Sequence, residues 1–276
     1  MSGQNGDGGV RAEQKACAIA ARRGGCSLEH WCSTRGMSGP LSSGFASNWR
    51  VNRYARGNVL FYQGNEPFAL FFLCSGRVKI VRADREGRRQ IVRIIRAPDF
   101  IGERSLIARQ PYSATAEVME EADICVIDSA KFFRFWSDQP EFARFLAQRL
   151  AITLGDVQGL ATDLALRTIR ERLAKLIVRQ SEVPPQSETV ILPTESRQEL
   201  AELLGTSPEV VCRTLKELSS SRLISVSGRR VRILDGARLR AAAWLPAKPV
   251  DFYQSRPVPP SSQGELQSGH NRQRRK

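Results

Sequence analysis

The 276-residue chain carries 42 lysines and arginines against 28 aspartates and glutamates, a formal net charge of +14. That excess calls for a polyanionic partner and fits nucleic acid better than an anionic membrane surface, while the length suits two ordinary domains. The longest apolar run, 68–74, is far short of a membrane span, and the start MSGQNGDGG lacks the basic-then-apolar pattern of a secretory signal, so a cytoplasmic protein with no membrane partner is expected.

Residues 1–43 are rich in glycine, serine and charge without apolar periodicity, and are expected to be a flexible segment holding Cys17, Cys26 and Cys32. Residues 44–138 contain β-branched or aromatic runs at 59–62, 70–74, 77–82, 90–95, 116–119 and 124–127. Gly57, Gly64-Asn65, Ser75-Gly76, Glu86-Gly87, Pro98-Asp99 and Glu120-Glu121 stand between them as turns. Many short strands at regular spacing predict a small antiparallel barrel or jelly roll. The segment 139–167 predicts a long helix in which Leu146, Leu150, Thr153, Val157, Leu160 and Leu164 recur in steps of four and three. That is a coiled-coil seam, and an outward seam predicts a homodimer. Gly155 and Gly159 weaken the helix locally and permit a close crossing.

Residues 168–245 open with a helix over 169–179, a Pro184-Pro185 linker and a strand over 189–192. The stretch SRQELAELLGTSPEVVCRTLKELSS then reads as two helices with a tight turn at Gly205. Ser207 caps the second helix, Pro208 takes its first position and Glu209 sits near the positive end of its dipole. Arg213 and Lys216 lie on the side away from Val211 and Leu215, the pattern of a helix-turn-helix entering a major groove. A hairpin over 223–226 and 231–234, with Arg229, Arg230 and Arg232 at its tip, supplies a wing whose arginines suit phosphates. Residues 246–276 are Pro-, Ser- and Arg-rich, expected as a disordered basic tail. The fold class is therefore α+β. The two histidines, His30 and His270, lie outside the regions expected to fold and no nucleophile–base pair is evident, so an enzyme is not expected.

This layout resembles the CRP/FNR superfamily of bacterial transcription regulators, FNR-like branch, over about 53–239. Gly57-Asn58-Val59-Leu60-Phe61 with Gly64, Ser75-Gly76-Arg77-Val78-Lys79 and Gly102-Glu103 are similar to the family's β-roll signatures. The resemblance implies a cyclic-nucleotide-binding-like jelly roll, a dimerisation helix (Leu146, Leu150, Val157, Leu160, Leu164) and a winged helix-turn-helix. It also implies double-stranded DNA and RNA polymerase as partners. Glu209-Val210-Val211-Cys212-Arg213 resembles the FNR recognition sequence Glu-x-x-Ser-Arg, which reads TTGAT-type half-sites; Cys212 takes the serine's place. Chemistry agrees, since arginine can donate two hydrogen bonds to guanine and glutamate can accept one from cytosine. The DNA-contacting set is thus Ser207, Glu209, Cys212, Arg213, Lys216, Arg229 and Arg230.

Cyclic-AMP-binding members place an arginine where this chain reads Pro111-Tyr112-Ser113-Ala114, so cAMP is disfavoured though not excluded, with Arg104 or Arg109 as compensating cations. Cys26, Cys32 and Cys125 match the places of [4Fe-4S] ligands in oxygen-sensing FNR proteins. Arg23 stands at the fourth, leaving Cys17 as the remaining ligand and His30 as a substitute. Two other readings stay open: a metal-free Cys26–Cys32 thiol switch, and Cys125 as an ordinary buried residue like Cys74. A cyclic-nucleotide-responsive regulator is the remaining alternative.

Overall fold

The computed structural model describes residues 50–182 and 188–245. Eight strands come first: β1 (Arg50–Tyr54), β2 (Val59–Phe61), β3 (Ala69–Leu73), β4 (Arg77–Ala83), β5 (Arg89–Arg96), β6 (Asp99–Ile101), β7 (Thr115–Val118) and β8 (Ala122–Asp128). They form two antiparallel sheets, β1-β8-β3-β6 and β2-β7-β4-β5, which is the expected β-roll. A short helix, α1 (Glu103–Ala108), links β6 to β7.

β3 is buried at all five positions because its two faces serve two cores. Phe71 and Leu73 look between the sheets, with Phe61, Val78, Ala116 and Ile124. Leu70 and Phe72 look the other way and pack against helices, with Phe132 and Phe142. Those helices are α2 (Ser129–Asp138), capped by Asp128, which accepts from the Lys131 N–H at 2.9 Å, and α3 (Pro140–Leu166). Phe142 and Leu146 close this second core; beyond Leu146 no α3 residue is buried.

The winged helix-turn-helix comprises α4 (Ile169–Ser181), β9 (Thr189–Ile191), α5 (Arg197–Leu204), α6 (Pro208–Ser220), β10 (Ile224–Ser227), β11 (Arg230–Ile233) and α7 (Gly236–Ala242), with a β10-β11-β9 sheet. A capping box between Thr168 and Glu171 starts α4. Leu173, Ile177, Leu200, Val211, Leu218 and Val231 fill its core.

Five elements were not legible: β1, β6, α1, α2 and α7. Asp99, read as part of a turn, opens β6 instead, because Phe100 and Ile101 are drawn into the two cores and three residues are too few to show a period. Residues 1–43 with Cys17, Cys26 and Cys32, the Pro184-Pro185 linker and the 246–276 tail lie outside the described residues. No described helix is long and apolar enough to cross a membrane.

Candidate nucleic-acid interface

Gly205 ends α5 at φ +67°, as its place in the turn required. A second constraint comes from tertiary structure: a Cβ there would lie 3.0 Å from Gln90 Oε1 and from Leu164 Cδ2. Ser207 then caps α6, accepting from the Val210 N–H at 3.5 Å, with Pro208 at the first position. Val211, Thr214, Leu215 and Leu218 are buried, and Thr214 Oγ1 donates to the Val210 carbonyl at 2.8 Å. The opposite side presents Glu209, Cys212, Arg213 and Lys216 to solvent, so the expected recognition set shares one exposed face. The Arg213 side chain is 71% exposed, with only a 3.9 Å contact to Glu217. A hydrogen bond with Ser207 holds the Glu209 carboxyl below the usual glutamate range, so this group is an anion at neutral pH.

At the wing, Arg230 and Arg232 are exposed, whereas Arg229 turns back. Its guanidinium donates to Glu195 Oε2 at 2.6 Å and to the Leu192 carbonyl at 3.2 Å. In this arrangement Arg229 braces the base of α5 and is not presented to a phosphate, because Glu195 offers a fixed carboxylate within reach.

The contrast is sharper on α5, which lies against β4 and β5 of the β-roll. Lys79 Nζ sits between Glu199 of α5 at 2.6 Å and Glu117 of β7 at 3.0 Å. Arg89 reaches Glu117 at 2.9 Å and Glu202 at 3.6 Å; Arg77 reaches Glu120 at 2.7 Å, Glu195 at 3.0 Å and the Pro193 carbonyl at 2.9 Å. Burial alone pulls the Lys79 ammonium down, but its hydrogen bonds to Glu199 and Glu117 outweigh it and raise its pKa. Burial likewise pushes the Glu199 carboxyl up, and the Lys79 hydrogen bond outweighs that and lowers it. The sequence marked Arg77 and Lys79 as strand residues within a β-roll signature, not as part of a site. Their alternation with Val78 and Ile80 was visible, but their carboxylate partners come from α5, β7 and the turns beside them, which only the register and docking reveal.

Along α3 the seam divides. Leu146 lies wholly within its own chain's core, so it offers no surface to a partner, contrary to its expected place in the seam. Leu150 and Leu160 are half-buried, while Val157 and Leu164 are exposed. Leu154, one turn from Leu150 and absent from the expected set, is 58% exposed on the same face. Thr153 accepts from Arg93 and so faces the β-roll.

In the segment after Gly102-Glu103, Tyr112 occupies the place of the missing arginine and is buried. Its ring stacks on Phe61 with centroids 3.7 Å apart, and its hydroxyl donates to the Ala69 carbonyl at 3.0 Å. Arg104 is exposed, and the Arg109 guanidinium lies over the Phe133 ring at 5.1 Å, so neither is aimed into this place. Cys125 is buried among Phe72, Phe132 and Phe142, its sulfur 3.2 Å from that of Cys74. These surroundings are a packed apolar core, which a bulky inorganic cluster would have to displace.

Two family models match in the order of the two structural units: a cyclic nucleotide-binding domain over residues 51–139 and a Crp-like helix-turn-helix domain over 171–242. The probable transcriptional regulator flp of Lacticaseibacillus casei is 30% identical over 175 residues, 63% of this chain and 79% of that protein. The chain belongs to the CRP/FNR superfamily of transcription regulators. Other CRP/FNR relatives include the cAMP-activated global transcriptional regulator CRP of Pasteurella multocida, 26% identical over 198 residues, 70% of this chain and 93% of that one. Among solved structures, FixK2 of Bradyrhizobium japonicum aligns with a TM-score of 0.63 at 20% identity, covering 70% of this chain and 96% of its own. A CRP-family regulator of Thermus thermophilus aligns at 0.59 and 27% identity, covering 71% and 98%.

Proposed function

We propose that this CRP/FNR regulator acts as a cytoplasmic homodimer on a palindromic operator, one α6 entering the major groove of each TTGAT-type half-site. The observation that carries the reading is the exposed row Glu209, Cys212, Arg213 and Lys216 on a helix whose other side is the domain core. Arg213 and Glu209 face base edges; Ser207, Lys216 and Arg230 face phosphates. The face of Leu150, Leu154, Val157 and Leu164 supports pairing with a second copy of α3. RNA polymerase enters as a partner through family likeness. Gel-shift titration against a palindromic TTGAT-type site and a scrambled duplex tests the proposal: one dimer per palindrome with preference over the scrambled duplex is expected, and equal affinity for both would refute it.

For the effector, the Tyr112–Phe61 stack supports a regulator whose nucleotide place is filled by its own side chains, and unchanged thermal unfolding with added cAMP is the expected result. An oxygen- or redox-sensitive signal remains part of the proposal. Cys125 supports it by standing in the core that seats the head of α3. The apolar packing around that sulfur does not fit a ligand of a [4Fe-4S] group.

A further inference from the structure

Cys74, just past the end of β3, and Cys125 on the neighbouring β8 are 51 positions apart, yet share one face of the β1-β8-β3-β6 sheet. Phe72 pairs with Cys125 in the β3–β8 register, and Cys74, two residues on, donates its backbone N–H to the Asp123 carbonyl at 2.8 Å. Both side chains therefore point toward α2 and α3, which brings their sulfurs to 3.2 Å. A disulfide needs about 2.05 Å, so closure asks for roughly 1.1 Å of movement at two flexible side-chain ends. We propose that Cys74 and Cys125 form an oxidisable dithiol that hydrogen peroxide converts reversibly to a disulfide.

Cys74 lies just beyond the end of β3 and is 8% exposed against 2% for Cys125, so it is the sulfur an oxidant meets first. Its thiolate attacks one peroxide oxygen and the O–O bond breaks. The departing hydroxide takes up the thiol's proton as water, leaving a sulfenic acid on Cys74. The Cys125 sulfur then attacks the Cys74 sulfur, the S–O bond breaks, and the hydroxyl leaves with the Cys125 proton as a second water. Two thiols lose two electrons, one hydrogen peroxide gains them, and an external dithiol reverses the change by exchange.

The location gives this chemistry a mechanical reach. The same buried cluster contains Phe142 and Leu146, the residues that seat the head of α3. Drawing the sulfurs together alters the packing beneath that helix, whose apolar stripe begins at the half-buried Leu150 only one turn later. The thiol step stands by itself; its effect on DNA rests on the function proposed above.

The full chain, reduced and then exposed to hydrogen peroxide with remaining thiols blocked, is digested without reductant and mapped by mass spectrometry. The expected product is a Cys74–Cys125-linked peptide that dithiothreitol removes. In a variant with Cys17, Cys26, Cys32 and Cys212 all changed to Ser, the two remaining thiols should disappear from titration together. Absence of the linked peptide at a dose that oxidises Cys212 overturns the proposal, as does sulfinic acid accumulating on Cys74 without cross-linking. Iron and acid-labile sulfide held in anaerobic protein and lost in Cys125→Ala overturn it too. Peroxide should shift operator affinity by about fivefold or more in the parent chain and not in Cys74→Ala. An equal shift in both removes the coupling to DNA, whereas a parent chain that is cross-linked but never binds the operator refutes the proposed function alone.

Discussion

Helices α5 and α6 are adjacent, the first of 8 residues and the second of 13, and their charges have opposite fates. Glu199 and Glu202 on α5 are folded against Lys79 and Arg89 of the β-roll, with little water around them. Glu209, Arg213 and Lys216 on α6 remain solvated. A carboxylate deprived of water must find a cation, and once it has one it is a bracket between domains. A charge kept in water retains its hydrogen-bonding capacity for a ligand. The same division runs along α3, whose head is core and whose later turns carry an exposed apolar stripe.

The largest test of that division is on α3. Glutamate at both Leu154 and Val157 would put charges into the pairing face at a cost above about 3 kcal/mol, and sedimentation should show monomers that no longer bind the operator. Retained dimers would mean that the stripe serves another purpose. Next comes Lys79→Ala, which strips Glu199 of its cation and leaves Glu117 with Arg89 alone. Since Glu117 keeps part of its hydration, a loss of about 2 kcal/mol is expected, read as a lower denaturant midpoint at unchanged base preference. Acid should mimic it. The Glu117 and Glu199 pKa values are lowered on folding, burial being outweighed by their cationic partners, so their contribution is present above the usual glutamate value of about 4.3 and is lost as pH falls through the lowered range. Thermal melts from pH 7 to pH 3 should show that decline.

Arg213→Ala should do the reverse of Lys79→Ala: stability within about 0.5 kcal/mol of the parent, and about 1–3 kcal/mol lost on the operator with random-duplex binding retained. Equal loss on both duplexes would make Arg213 a phosphate contact. The smallest effect is on the wing. Arg230→Ala should lower the salt slope of binding by about one, whereas Arg229→Ala, already paired to Glu195, should leave the slope nearly unchanged.

Legibility followed the range of the interactions. The turn at Gly205, the Ser207 cap, the apolar faces of α5 and α6 and most strands of the β-roll are specified by residues within a few positions of one another. Composition and local pattern therefore placed the β-roll, the long helix and the exposed recognition row of the candidate site. β1 and β6 were illegible because a short strand takes its identity from the neighbour that pairs with it. Arg229 shows the limit within the site: as a wing-tip arginine it was legible, but its turn back to Glu195 depends on a carboxylate 34 residues away.

What the sequence by itself determined was the set of local elements and the chemistry available on each, because helix caps, turns and periodicity act along the chain. Only the tertiary structure decided which charges are brackets and which are free, that Leu146 belongs to one chain's core, that Tyr112 stacks on Phe61, and that Cys74 meets Cys125. Each of these depends on two segments brought together by burial, and burial of shared apolar area is settled by the whole fold rather than by any one stretch of it.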